Sequence, residues 1–423
     1  MKHFVSTRNA CKLCTPLGAA LVFKGIEQAM PLLHGSQGCS TYIRRYLISH
    51  FREPVDIASS NFSEETAVFG GKKNLLTALQ NVAAQYHPGL IGIATTCLSE
   101  TIGEDVPGIL REIPAKSLYG SPVLVHVATP SYSGSHADGF NAAIRAVVER
   151  LAGERSAWRS DRQINVFPGI CSPADLRYLR EIVQAFGLVC VLLPDYSDTL
   201  DGAPWQEYQP LPAGGTSVAD IASMGWSLAS FTLGRVGEPA RSAGEFLRTR
   251  FNVGHHVLGV PIGIHETDEL FKTLESLTKL PVPEKFVRER GRLVDAIIDG
   301  HKYVFEKKVL VYGEEDLVLG MAKFLSEIGI IPIICPDGLD FAGIEELAVS
   351  ARPDIIIGNS KGYQIARKLK VPLIRIGFPI HDRIGGQRIL HYGYRGALEL
   401  YDRIVNALLG VKQESSPVGY SYL

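Results

Sequence analysis

Three cysteines stand in settings that suit metal chemistry. Cys14 lies in Lys12-Leu13-Cys14-Thr15-Pro16-Leu17-Gly18, Cys39 closes His34-Gly35-Ser36-Gln37-Gly38-Cys39, and Cys97 lies in Thr95-Thr96-Cys97-Leu98-Ser99-Glu100. Each adjoins a turn of small or hydroxylated residues, where backbone amides can approach a bulky anionic group. Thiolates held in this way are the usual ligands of iron–sulfur clusters. Any one of them alone reads as a small buried thiol, and it is the shared setting that favours a common ligand. Three thiolates are one short of the usual four, so a partner chain or a non-cysteine group would complete the shell. Ser131, in the loop 128–136, would supply an alkoxide to an oxidised cluster; by itself it reads as an ordinary turn serine.

The remaining candidates are weaker. Cys11 makes a C-x-x-C with Cys14, but a second pair is missing, which leaves Cys11 a spare thiol. Cys171, Cys190 and Cys335 sit in or beside apolar runs and read as core residues. His34, before Gly-Ser-Gln-Gly, reads as a loop-fixing hydrogen-bonding group. The twelve histidines include no H-E-x-x-H, which argues against a zinc hydrolase. Neither G-x-G-x-x-G nor G-x-x-x-x-G-K-[ST] occurs, so nucleotide binding has no specific support. Asp295 and Asp299 are four apart on an expected helix and share a face. That face is either a solvated acidic surface or a divalent-cation site.

The composition narrows the class. A chain of 423 residues, 46% hydrophobic, is long enough for two or three domains with full cores. Its 43 basic and 44 acidic residues leave no basic field, which excludes nucleic acid and anionic membranes as natural partners. No apolar run approaches the roughly 20 residues needed to span a bilayer, and the opening Met1-Lys2-His3-Phe4 is no signal peptide. Seven irregularly spaced cysteines do not form a disulfide framework. A cytoplasmic chain using cysteine for metal or redox work is expected.

The elements that would position these residues alternate. Apolar runs at 90–94, 123–127, 164–167, 188–193, 230–233 and 256–260 read as strands, separated by amphipathic helical segments. From 307 onward the alternation is plainest, with strands at 308–312, 331–335, 354–357 and 372–376. Such alternation predicts an α/β fold of three Rossmann-like doubly wound domains with mostly parallel sheets. The expected divisions are a cluster-binding domain at 1–155, a second α/β domain at 156–305, and a third at 306–423 carrying a C-terminal tail. Pro16 to Gln28 reads as a helix, Ser40 to Phe51 as another after the His34–Cys39 loop, Ala152 to Arg162 as a polar linker, and Gln413 to Leu423 as a tail with no pattern of its own. Cys97 falls just past a strand end, where open parallel sheets place ligands.

Across nearly its whole length the chain resembles the component 1 superfamily of nitrogenase, on the β-type side. The cluster-side segments are Lys12 to Gly18, His34 to Tyr42 with His50-Phe51-Arg52-Glu53-Pro54, Glu64 to Gly71, Thr95 to Asp105 and Thr129 to His136. Gly214-Gly215-Thr216, Glu289 to Asp295, Gly358 to Gly362, Gly377-Phe378-Pro379 with Asp382-Arg383, and Gly393-Tyr394 with Gly396 continue the match. The resemblance implies that Cys14, Cys39 and Cys97 are the β-side thiolates of an interfacial eight-iron (8Fe-7S) P-cluster, and that Ser131 ligates it when oxidised. It implies an α-type partner that supplies the other thiolates and holds the active-site cofactor, in a heterotetramer, and an ATP-dependent iron protein as electron donor. Arg52-Glu53 with Asp295 and Asp299 resemble the family's cation site between two β-type chains. Two readings follow: an electron-relay subunit of a nitrogenase-like reductase (an alternative nitrogenase or a methylthio-alkane reductase), or an N-type scaffold for cofactor biosynthesis carrying a simpler four-iron (4Fe-4S) cluster. The intact cysteines and Ser131, with Glu64-Glu65, Phe69-Gly70-Gly71 and Arg288 to Asp299, lean to the first; Ile170 to Leu176 and Leu200-Asp201-Gly202 lean to the second. The absence of a long N-terminal extension is expected to set the chain apart from ordinary molybdenum-type β chains. A tetrapyrrole-reductase half fits the quoted segments less well.

Overall fold

The computed structural model describes residues 12–113, 118–153, 160–335 and 339–417. Among the described residues, twelve strands form three four-stranded sheets, and every strand pairing is parallel. The first holds β1 (Ala29–His34), β2 (Ala58–Ser59), β3 (Leu90–Thr95) and β4 (Val123–Val127), in the order β2-β1-β3-β4. The second holds β5 (Gln163–Phe167), β6 (Val189–Leu192), β7 (Ala229–Leu233) and β8 (Gly254–Leu258), in the order β6-β5-β7-β8. The third holds β9 (Lys308–Val311), β10 (Ile331–Ile334), β11 (Ile355–Gly358) and β12 (Leu373–Arg375), in the order β10-β9-β11-β12. One plan is thus used three times, as alternation alone had suggested. Helices cover both faces of such sheets, so central strands become continuous apolar runs; every residue of β1 and β3 is buried.

With the first sheet go α1 (Thr15–Lys24), α2 (Gln37–Phe51), α3 (Glu64–Phe69), α4 (Lys72–Tyr86), α5 (Cys97–Thr101), α6 (Val106–Arg111) and α7 (His136–Leu151). The second stretch carries α8 (Pro173–Ala185), α9 (Val218–Ser223), α10 (Ala243–Phe251), α11 (His265–Thr278) and α12 (Glu284–Val304). The last carries α13 (Glu315–Glu327), α14 (Phe341–Ala351), α15 (Tyr363–Leu369) and α16 (Gly393–Ser415).

Most expected elements are present within a few residues, and the departures have local causes. The loop expected to run to Cys39 stops at Ser36, whose side chain caps α2 by accepting from Gly38 N at 3.2 Å; Cys39 therefore lies in the first helical turn. The helix expected to reach Gln28 ends at Lys24, before Gly25. The terminal helix runs on to Ser415, into residues expected to be patternless. Around the expected polar linker, residues 152–153 and 160–162 are neither helix nor strand; 154–159, Cys11 and the last six residues of the tail lie outside the described residues.

Topology places the chemistry. In a sheet ordered 2-1-3-4 the chain leaves β1 in one direction towards β2 and returns on the other side as β3. The crevice between the carboxyl ends of those two strands is the switch point where open α/β sheets bind ligands. Cys39 follows β1 and Cys97 follows β3. Helices α1 and α7 bring in the third thiol by close approach: a Cβ at Gly18 would fall 1.8 Å from His136 O, and one at Gly139 would fall 2.0 Å from Thr15 O. Elsewhere, residues attached to all three sheets enclose a small, mainly apolar cavity whose lining includes His50, Phe51, Cys171, Asp175, Phe378 and His391.

Candidate functional site

Each thiol sits at the head of a helix. Cys14 is the N-cap residue of α1, Cys39 the third residue of α2, and Cys97 the first residue of α5. Unpaired N–H groups and the positive end of the helix dipole favour charge on sulfur there. The effect is strongest for the ten-residue α1 and fifteen-residue α2, and small for the five-residue α5.

The loops carrying the thiols are tied together. Leu13 N donates to His136 Nδ1 at 3.2 Å, and His136 N donates to Leu13 O at 2.9 Å, fixing the strap that holds Cys14. Thr15 N donates to Ser131 Oγ at 3.1 Å, and Ser131 N donates to Cys97 Sγ at 3.3 Å. The loop of Ser131 therefore bridges the Cys14 turn and the Cys97 thiol. On the other side, Gly35 lies so near the Cys97 turn that a Cβ would fall 2.0 Å from Thr96 Oγ1. His34 is the loop-fixing group expected: its Nδ1 meets Ser60 Oγ at 3.0 Å and its Nε2 meets Glu104 Oε2 at 3.2 Å.

The electrostatics agree with three thiols facing one volume. Burial pushes the Cys14 thiol up to about 11, with Cys39 and Cys97 in its field adding to the rise. Burial also raises Cys39, and Cys97 adds to it. All three are partly exposed, none fully enclosed. Among the described residues no three His, Cys, Asp or Glu side chains converge tightly enough to hold a single metal ion. A donor set of three soft sulfurs, mutually aware yet too spread for one ion, suits a multi-iron cluster better than a mononuclear metal. Such a group would have to displace the thiol protons that burial otherwise retains.

The rim of the site is apolar and open. Tyr42, one turn beyond Cys39, is 53% exposed; Leu98, next to Cys97, is 37% exposed; Tyr132, next to Ser131, is 63% exposed. The Tyr42 hydroxyl meets that of Tyr46 at 3.0 Å, and the Lys361 ammonium lies 5.3 Å from the Tyr46 ring centroid. Tyr46, His136 and Glu104 belong to this site and were not singled out from the sequence. Only their positions in α2, at the head of α7 and after α5 could have pointed to them.

The other cysteines and the acidic candidates lie elsewhere. Cys190 is buried in β6, and burial pushes it and Cys335 up to about 12. Cys171 follows β5 and lines the central cavity. Glu53 is raised by burial and by Asp201, with Arg388 opposing. Asp295 and Asp299 are exposed on α12. Within one chain these three carboxylates do not form a metal-binding group.

The profile of the family described as Nitrogenase component 1 type Oxidoreductase matches residues 14–336 and 334–409. The chain is 35% identical to the nitrogenase molybdenum-iron protein beta chain of Methanococcus maripaludis, over 96% of each chain. It is 34% identical to the nitrogenase iron-molybdenum cofactor biosynthesis protein NifN of a Nostoc species, over 96% of this chain and 94% of that one. A solved structure described as nitrogenase Cp1 at pH 6.5 superposes with a TM-score of 0.92 at 32% identity, covering 100% of this chain and 99% of that one. One expectation needs correction. The start of the sequence does not set it apart from molybdenum–iron β chains, because the Methanococcus protein of that name matches over 96% of each chain.

Proposed function

This chain belongs to the nitrogenase component 1 type oxidoreductase family, on its β-type side, and we propose that it is the electron-relay subunit of a nitrogenase-like reductase. Cys14, Cys39 and Cys97 would hold one half of an interfacial iron–sulfur cluster of the P-cluster type. An α-type partner would supply the remaining thiolates and carry the active-site cofactor, in a heterotetramer. An ATP-dependent iron protein would be the electron source. What supports this reading is that three helix-head thiols lie in one another's field, with Ser131 bonded both to the Cys14 turn and to Cys97.

The cluster would supply one-electron storage and transfer between the iron protein and the partner's cofactor. The chain's own residues set the conditions. The helix heads of α1 and α2 partly offset the burial that otherwise holds the Cys14 and Cys39 thiols protonated. The Ser131 N–H, pointed at Cys97 Sγ, stabilises charge on that sulfur and so tunes a cluster's potential. Tyr42, Leu98 and Tyr132 exclude water once a partner covers them. Ser131 Oγ would be the further ligand to such a cluster, because the Ser131 backbone N–H already donates to Cys97 Sγ. Glu53, Asp295 and Asp299 would meet a cation only across a second β-type chain. That proposal is tested by whether a chelator splits the heterotetramer into α/β pairs.

The alternative is a NifN-type scaffold carrying a four-iron cluster, favoured by the 34% identity to the Nostoc protein. The names of these relatives give no support to methylthio-alkane reduction. The deciding experiment is anaerobic co-purification with the α-type partner, iron counting per pair, and EPR in reduced and dye-oxidised states. Oxidation-dependent signals from an eight-iron cluster support the relay. A four-iron signal, with a cofactor transferable to an apo-enzyme, supports the scaffold.

A further inference from the structure

A buried polar relay lies beneath the thiol loops. Glu104 Oε1 accepts from Gly71 N at 2.5 Å, and its Oε2 meets His34 Nε2 at 3.2 Å. His34 Nδ1 meets Ser60 Oγ at 3.0 Å, and Gly35 N donates to Ser60 Oγ at 3.0 Å. The His34 side chain has no exposure and that of Glu104 only 8%. One assignment of protons satisfies every member. Both Glu104 carboxylate oxygens can only accept, so His34 carries its proton on Nε2. The His34 Nδ1 lone pair then takes the Ser60 hydroxyl proton, and a Ser60 lone pair takes Gly35 N–H. Phe62 closes the relay edge-on against the His34 ring, centroids 4.8 Å apart, and Gly71 has no room for a side chain against Phe62.

Both thiol-bearing turns hang from this ring. Gly35 precedes Ser36, the cap of the helix that carries Cys39. The His34 carbonyl accepts from Thr96 N at 3.1 Å and from Ser99 Oγ at 2.8 Å, which fixes the turn bearing Cys97. We propose that Glu104 is a positioning residue for the cluster: by fixing the tautomer and orientation of His34 it sets the spacing of Cys39 and Cys97, and hence the redox properties of what they hold. This inference rests on the relay reading above.

Glu104→Gln tests it in the complex with the α-type partner. The glutamine oxygen keeps the bond from Gly71, but its amide N–H2 then confronts His34 Nε2–H. The ring must take the other tautomer, and the buried Ser60 hydroxyl proton loses its acceptor. The expected result is wild-type iron content with a modestly lowered melting temperature, from the orphaned Ser60 proton, and an altered EPR line shape. At a fixed potential near the midpoint, the oxidised-to-reduced ratio should change by about fivefold or more, the low end of coupling energies between linked sites. Ser60→Ala breaks the same ring from its other side and should give a change of the same kind. The double variant should be markedly less than additive, because the two residues act as one unit. Unchanged spectra and ratio in both iron-replete single variants would overturn the inference. Absence of any cluster from the wild-type complex would instead sink the relay reading itself.

Discussion

The backbone N–H of Ser131 donates to Cys97 Sγ at 3.3 Å, while the Ser131 hydroxyl accepts from Thr15 N at 3.1 Å. One residue thus touches a thiol with its main chain and steadies a neighbouring thiol's turn with its side chain. The two functions separate by mutation. Ser131→Ala keeps the N–H and should retain iron and the reduced-state spectrum. It leaves Thr15 N without its acceptor, at a cost of about 1 kcal/mol in unfolding free energy, and it removes the hydroxyl oxygen that Ser131 would offer an oxidised cluster. Denaturant titration reads the first effect and oxidised-state EPR the second. An unchanged oxidised-state spectrum would remove Ser131 from the ligand set.

Cys39→Ala should abolish electron relay, lower iron content and weaken association with the α-type partner. The isolated chain should be hardly affected, within about 1 kcal/mol, because the small side chain is only partly buried at the edge of the core. Iron analysis and size-exclusion chromatography of the complex check the first part, and denaturant unfolding of the single chain the second. Full activity with unchanged iron would refute the assignment of Cys39.

Asp175 and His391 join distant parts of the chain. Asp175 accepts from Ser172 N at 3.0 Å, His391 N at 2.7 Å, Tyr392 N at 3.0 Å and His391 Nδ1 at 2.8 Å. Burial alone would raise this carboxyl, but the charge and hydrogen bonds of His391 outweigh it and hold Asp175 below its ordinary 3.8. A depressed carboxyl contributes stability that is present above its unfolded-state value and lost as pH falls through the folded one. Asp175→Asn should therefore cost about 3 kcal/mol or more near neutral pH, with the gap to wild type closing in strong acid. A constant gap at all pH values would show that the charge is not what matters.

Much of the fold could be read from the chain because β3, β5, β9 and β11 are short apolar runs between helices, and parallel strands buried on both faces leave that signature. Strand β1, interrupted by Pro31, the two-residue β2 and the short α3, α5 and α6 were missed, since none carries a clear periodic signal. Cys14, Cys39 and Cys97 were legible through their small-residue turns. Their companions were not: Glu104 reaches Gly71 and His34 across 33 and 70 residues, and His136 reaches Leu13 across 123. Contacts made by the closure of long loops leave no local pattern to read.

Glu314 gives the protein a pH dependence of opposite sign to that of Asp175. It caps α13, accepting from Asp316 N at 3.2 Å and Leu317 N at 3.1 Å, beside the 2.6 Å ion pair of Glu315 with Lys12. That pair ties α13 to the strap that holds Cys14. Burial, with Asp316 adding, pushes the Glu314 carboxyl from 4.5 up to about 7. The folded state therefore grips this proton more tightly than the unfolded chain does. Its contribution is complete below the unfolded value and is lost as pH rises through the folded one. Burial raises Asp316 in the same sense. Glu314→Gln keeps an acceptor oxygen at the helix head and cannot ionise. Between about pH 5 and 8 its unfolding free energy should fall less steeply than that of the wild type, a difference of about 1–2 kcal/mol after discounting for a side chain only half-buried. Parallel stability curves for the two proteins across that range would show that the Glu314 carboxyl does not titrate there.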